Sequence, residues 1–268
     1  MPEATSNGIR IHYEDEGEGP PVVLVSGLSY GTWTWRWVAP LLATSHRVIS
    51  LDNRGVDGSD KPPGPYTTAL MAQDLLGLLD ALQVPPCGLL GLSLGGFIVQ
   101  EAALARPDRV ERLVLMATSF GGRKALPPTP AALESMTNRE GGARAVAERA
   151  LKVNASAGFA ERHPDRAEAY FAYRERVGMT ADSYRSQLMA GVGHDAEARV
   201  SGLKMPVLIL QGDQDLVVPP GNAELLKARI PHAEVKLFQG AGHLLPMERP
   251  EEVADAVRYF LSAASFSR

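Results

Sequence analysis

The sequence predicts an α/β fold: a mostly parallel, twisted sheet with helices on both faces and a small helical cap inserted past its middle. Three observations carry that expectation. Short apolar runs alternate with segments of helical period, the pattern of a parallel sheet covered on both sides. At one junction the run Cys87-Gly88-Leu89-Leu90 passes through Gly91-Leu92-Ser93-Leu94-Gly95, a G-x-S-x-G pattern that turns a buried strand sharply into a helix. The alternation then breaks from about residue 119 to residue 202, where no strand-like run appears.

In chain order, the alternating residues 9–15 read as a strand, followed by a turn through Gly17-Glu18-Gly19-Pro20-Pro21. Further strands are expected at 22–26, 47–51, 88–90, 110–116, 207–211 and 234–238, with helices at 33–43, 67–82, 94–105, 223–230 and 250–261. Lys124-Ala125-Leu126-Pro127-Pro128-Thr129-Pro130 reads as a linker, and helical spacing returns at 131–151, 165–177 and 181–190. The expected organisation is a core over 1–118, a helical cap over 119–202 and the rest of the core over 203–268. The Arg and Glu of the insertion read as a solvated face with i,i+4 pairing.

Composition narrows the function classes. A chain of 268 residues can bury a substantial core as one large domain with an insertion. A net charge of −4 with no basic cluster argues against nucleic acid or an anionic membrane surface as partner. No stretch approaches the roughly 18 apolar residues of a membrane span. The first eight residues lack the basic and apolar regions of a secretory signal, and a single cysteine, Cys87, excludes an internal disulfide. A cytoplasmic protein is therefore expected, with Cys87 packing at a strand start. His12, His46, His163 and His232 have no ligand-like spacing, so no metal is expected. There is no G-x-G-x-x-G after the first strand and no P-loop, so no nucleotide cofactor is implied.

The chemistry centres on Ser93. A serine hydroxyl is a weak nucleophile until a neighbouring base takes its proton, so the motif asks for a histidine and an acid elsewhere. The acid candidate is Asp215, which follows the apolar run 207–211 and sits four residues before Pro219; Asp213 beside it reads as a turn residue. The base candidate is His243, in Gly240-Ala241-Gly242-His243 after the strand at 234–238. Imidazole titrates near neutrality, which suits a group that must take a proton and return it.

Ser93, Asp215 and His243 occur in the chain order of the α/β-hydrolase triad, and the chain resembles that superfamily along nearly its whole length. Val22-Val23-Leu24-Val25-Ser26-Gly27-Leu28 resembles its strand and oxyanion turn. Asp52-Asn53-Arg54-Gly55-Val56-Asp57-Gly58-Ser59-Asp60-Lys61-Pro62 resembles its D-x-R-G-x-G-x-S loop. The elbow, acid loop and G-x-G-H loop complete the likeness. Within the superfamily the chain is most similar to 3-oxoadipate enol-lactonase-like serine esterases. The resemblance implies a small-molecule ester or lactone as substrate, cleaved through an acyl-enzyme with oxyanion donors at the Leu28 and Leu94 amides. Among Trp33, Trp35 and Trp37, Trp33 lies nearest the oxyanion turn and is the candidate for a substrate contact. Two positions depart from the family pattern: Ser26 stands where many relatives have histidine, and Asp57 where they usually carry glycine. If position 57 requires a positive φ, aspartate is among the less costly replacements.

Carbon–carbon bond hydrolases of aromatic degradation and cofactor-free haloperoxidases or perhydrolases carry the same serine triad, so the sequence leaves them open. A non-turnover ligand sensor on this fold is the alternative of a different class. Epoxide hydrolases and haloalkane dehalogenases place aspartate at the nucleophile position, and Ser93 argues against them.

Overall fold

A computed structural model describes residues 2–262. Among them, eight strands form one sheet: β1 (Glu3–Ser6), β2 (Ile9–Glu16), β3 (Pro21–Val25), β4 (Arg47–Leu51), β5 (Cys87–Leu92), β6 (Val110–Met116), β7 (Val207–Gly212) and β8 (Glu234–Phe238). The spatial order is β1-β2-β4-β3-β5-β6-β7-β8. The β1–β2 and β2–β4 pairs are antiparallel and every other pair is parallel. The α/β-hydrolase architecture expected from the sequence is thus the one observed. β1 lies outside the expected elements: it is four residues long and three of them are not buried, so it leaves no hydrophobic periodicity to read.

The period-two pleat sorts the strand residues onto two cores. Val23, Val25, Ile49, Leu51, Leu113, Leu115 and Ile209 face one way. They pack against α2 (Thr68–Ala81), α3 (Leu94–Ala105) and α9 (Gly221–Arg229). Val22, Leu24, Val48, Val114, Met116, Leu208 and Leu210 face the other way. They meet α1 (Ala39–Leu42) and α11 (Pro250–Ser262), the latter through Val253, Val257 and Phe260 at helical spacing. Each such side chain, fully buried, contributes roughly 1.5–3 kcal/mol. Cys87 belongs to the first core; burial pushes its thiol up to about 12, so it packs as a hydrophobe.

Two expected helices are broken, each for a local reason. The 33–43 pattern splits into a 3-10 turn at Thr32–Trp35 and the short α1, because Pro40 is tolerated only in a first turn. The 131–151 pattern splits into α4 (Pro130–Thr137) and α5 (Gly142–Asn154). Gly141 and Gly142, at φ 85° and 79°, hold a left-handed corner between them. The insertion continues as α6 (Phe159–Arg162), α7 (Pro164–Arg176) and α8 (Ala181–Val192). Its two ends are stitched where Gly122 N–H donates to His194 O (2.9 Å) and Ala196 N–H to Phe120 O (2.8 Å). Among the described residues no helix is long and apolar enough to cross a membrane.

Candidate active site

β3 is hydrogen-bonded to β4 on one side and β5 on the other, so connections leave its two sides in opposite directions. Open α/β sheets bind ligands at such a switch point, beyond the C-terminal strand ends. The loop 26–31 and Ser93 meet there, since Val25 is in register with Gly91.

Ser93 occupies the turn between β5 and α3 at φ 55°, ψ −119°, a conformation a side-chain-bearing residue adopts only when its surroundings enforce it. The surroundings are tight. A Cβ on Gly91 would lie 2.3 Å from Gly95 O, and one on Gly95 would lie 2.1 Å from Val25 O, so glycine is required at both. Ser93 N–H donates to Met116 O at 2.9 Å, pinning the turn to the next strand.

The acid loop brings Asp215 under the histidine loop. Asp215 Oδ1 accepts from the N–H groups of Val217 and Val218, both at 2.8 Å. Its Oδ2 accepts from Gln211 Nε2 at 3.1 Å and lies 2.8 Å from His243 Nδ1. With the carboxylate so oriented, Nδ1 carries the proton and Nε2 is left as the basic nitrogen. His243 N–H is held by Asn154 O at 2.9 Å, a carbonyl at the end of α5. Asp213 has the turn role expected: its Oδ1 accepts from Gly240 N–H at 2.7 Å and joins the two loops.

Ser93 and His243 line one cavity of about 60 Å³ together with Leu28, Val153, Val217 and Leu244. Among the described residues no protein acceptor is hydrogen-bonded to the amide of Leu28 or of Leu94, and the latter stands at the positive end of α3. A vestibule of about 590 Å³ adjoins the cavity through shared residues Ser29, Met136, Arg139, Arg174 and Tyr184. Met136, Arg139, Arg174 and Tyr184 come from the insertion and were not singled out in the sequence. Arg174 gave no signal there, because it sits among the charged residues of a helix that otherwise reads as a solvated face. A larger groove of about 1140 Å³ lies at the opposite ends of the strands, around Val110 and Val207, away from Ser93.

Trp33 is not among the residues lining the Ser93 cavity. Its ring stacks on Tyr173 of α7, with centroids 4.5 Å apart and planes 3° apart. Arg54 is a buried structural residue, paired through Nη2 with Asp74 Oδ1 at 2.6 Å. Position 57 does adopt a positive φ, 41°.

This fold and this site define the class. Residues 20–250 match the family described as the alpha/beta hydrolase fold, and the chain belongs to it. A 2-hydroxymuconate semialdehyde hydrolase of Pseudomonas sp. (strain CF600) is 29% identical, the match covering 98% of this chain and 94% of that protein. 3-Oxoadipate enol-lactonase 2 of Acinetobacter baylyi is 26% identical over 94% of this chain and 93% of its own length. Among solved structures, the enol-lactonase from Burkholderia xenovorans LB400 superimposes with a TM-score of 0.86 at 29% identity, covering 97% of this chain and 99% of its own.

Proposed function

We propose that the protein is a serine hydrolase that cleaves a small carboxylic ester or lactone through an acyl-enzyme. The observation that carries this reading is the His243–Asp215 hydrogen bond in a cavity shared with Ser93 on its strained turn. Ser93 Oγ attacks the carbonyl carbon while His243 Nε2 takes its proton. Asp215 holds the imidazole tautomer and stabilises the imidazolium. The Leu28 and Leu94 amides receive the oxyanion, each donor worth roughly 3 kcal/mol in the transition state. The imidazolium then protonates the leaving alkoxide as the tetrahedral intermediate collapses. A water, deprotonated by the same nitrogen, releases the acid and restores Ser93. The helices between β6 and β7 act as a cap that excludes bulk water. The likeness to two enol-lactonases supports the ester or lactone class.

The cavity beside Ser93, about 60 Å³, favours a short acyl group there, with the larger alcohol part lying toward the adjoining vestibule of about 590 Å³. Hydrolysis of p-nitrophenyl acetate should therefore exceed that of the octanoate by tenfold or more. Ser93→Ala should abolish turnover, by roughly 10⁴- to 10⁶-fold, while its circular dichroism matches wild type. Wild-type turnover in that variant would refute the assignment. The likeness to the 2-hydroxymuconate semialdehyde hydrolase favours a second reading, in which the same residues hydrolyse a substrate of that kind. Offering both substrate types to one preparation decides between them.

A further inference from the structure

The loop 26–31, which brings Leu28 to Ser93, is fastened largely by residues outside the sheet. Within the loop, Ser26 Oγ donates to Gly31 O at 2.7 Å. From the insertion, Arg174 Nη1 donates to Ser29 O (2.7 Å), Ser29 N–H donates to Gln187 Oε1 (2.9 Å), and Gly31 N–H donates to Tyr173 Oη (2.9 Å). The Tyr173 hydroxyl in turn donates to Asp57 Oδ2 at 2.8 Å, and Asp57 Oδ1 accepts from Gly178 N–H at 2.8 Å. A relay thus runs from Asp57, in the loop after β4, through a buried cap tyrosine to the amide of Gly31.

Three features single out Asp57. It holds a left-handed φ of 41°, where a side-chain-bearing residue is strained, so its two hydrogen bonds offset a backbone penalty. Gly31 is wedged beneath it: a Cβ there would come within 2.8 Å of Asp57 Oδ2 and 2.1 Å of Asp52 Oδ1. Tyr173 is 3% exposed and its ring is stacked on Trp33, so the hydroxyl has no freedom to seek another acceptor. Burial, reinforced by the Asp57 charge, raises the tyrosine's titration well above its usual range and keeps that hydroxyl a donor.

We propose that Asp57 is a positioning residue for the reaction: through the Tyr173 hydroxyl it fixes Gly31, and with it the turn that presents the Leu28 amide to the oxyanion. This inference rests on the reading of Ser93 and Leu28 given above. It makes the oxyanion turn competent only while α7 is docked, so cap seating and transition-state stabilisation are one event. Asp57 itself touches no substrate.

The test uses Asp57→Gly, which relieves the φ strain, and Tyr173→Phe, which deletes one oxygen and keeps the stacked ring. Each is assayed alone, combined, and beside Ser93→Ala on p-nitrophenyl acetate. Each single variant should lower kcat by about ten- to a hundredfold with KM within about twofold, since a misplaced donor weakens the transition state and not ground-state binding. Affinity for an aryl boronic acid, which forms a tetrahedral adduct on the serine, should fall by the same factor. The double variant should be no worse than the poorer single one, because both break one relay. A fall in melting temperature with kcat unchanged, or losses that multiply in the double variant, would overturn the proposal. If either variant fails to fold, the other still carries the kcat and boronate readouts. Full activity in Ser93→Ala would instead sink the serine-hydrolase reading beneath it, so the two failures are distinguishable.

Discussion

Each oxygen of Asp215 accepts two hydrogen bonds, and the residue is 2% exposed, so its orientation is fixed before any substrate arrives. Asp215→Asn would turn an amide N–H toward one of those donors and lose control of the imidazole tautomer. A fall in kcat of about 10⁴-fold at neutral pH is expected, read by steady-state kinetics with little change in the folded far-UV spectrum. These residues were legible in the sequence because each is tied to local punctuation: a glycine-flanked turn, an apolar run ending in Gly212, a Gly-Ala-Gly before His243. Asp57 was legible only as a departure. Its meaning depends on Tyr173, 116 residues away, and no local pattern joins the two. Trp33 shows the opposite limit: adjacency in sequence to the loop 26–31 suggested a substrate contact, whereas its ring is taken up by the same tyrosine.

Among elements, the elbow is the least tolerant. Gly95→Ala would place a methyl 2.1 Å from Val25 O, and backbone on both sides leaves nothing flexible to yield. The expected loss is about 3 kcal/mol, the upper end for overpacking, with activity falling alongside it; urea denaturation midpoints measure the first. The capping of α2 is a milder case. Thr67 Oγ1 accepts from Leu70 N–H at 3.1 Å, and Thr67→Ala should lower stability by about 1 kcal/mol with kcat intact. The parallel strands β3 to β7 were readable because burial on both faces makes them largely continuous apolar runs. Short or half-exposed pieces escaped: β1, with its mixed exposure, and the four-residue helices α6 and α10 (Leu245–Glu248), whose apolar residues are too few to set a period.

For the molecule as a whole, α3 is tied to the segment leaving the insertion by an ionic cluster. Arg199 donates to both oxygens of Glu101 at 2.6 and 2.8 Å, and His194 Nδ1 lies 3.4 Å from Glu101 Oε1. Burial alone would raise the Glu101 carboxyl, but the hydrogen bonds from Arg199 and His194 bring it from 4.5 down to about 2. A depressed folded-state value means the group stabilises the fold fully above pH 4.5 and loses that contribution as pH falls toward 2. Glu101→Gln should therefore flatten the fall in melting temperature between pH 4.5 and 3 relative to wild type, measured by calorimetry. The strand-free stretch between β6 and β7 was readable from the missing strand pattern, while its attachment to the loop 26–31 was not, because that depends on which helix faces meet in three dimensions. The stitch between 120–122 and 194–196 gives the intervening helices the outline of a self-contained graft. Tyr173, Arg174 and Gln187 say otherwise: any replacement must bring its own fastenings for Ser29 and Gly31.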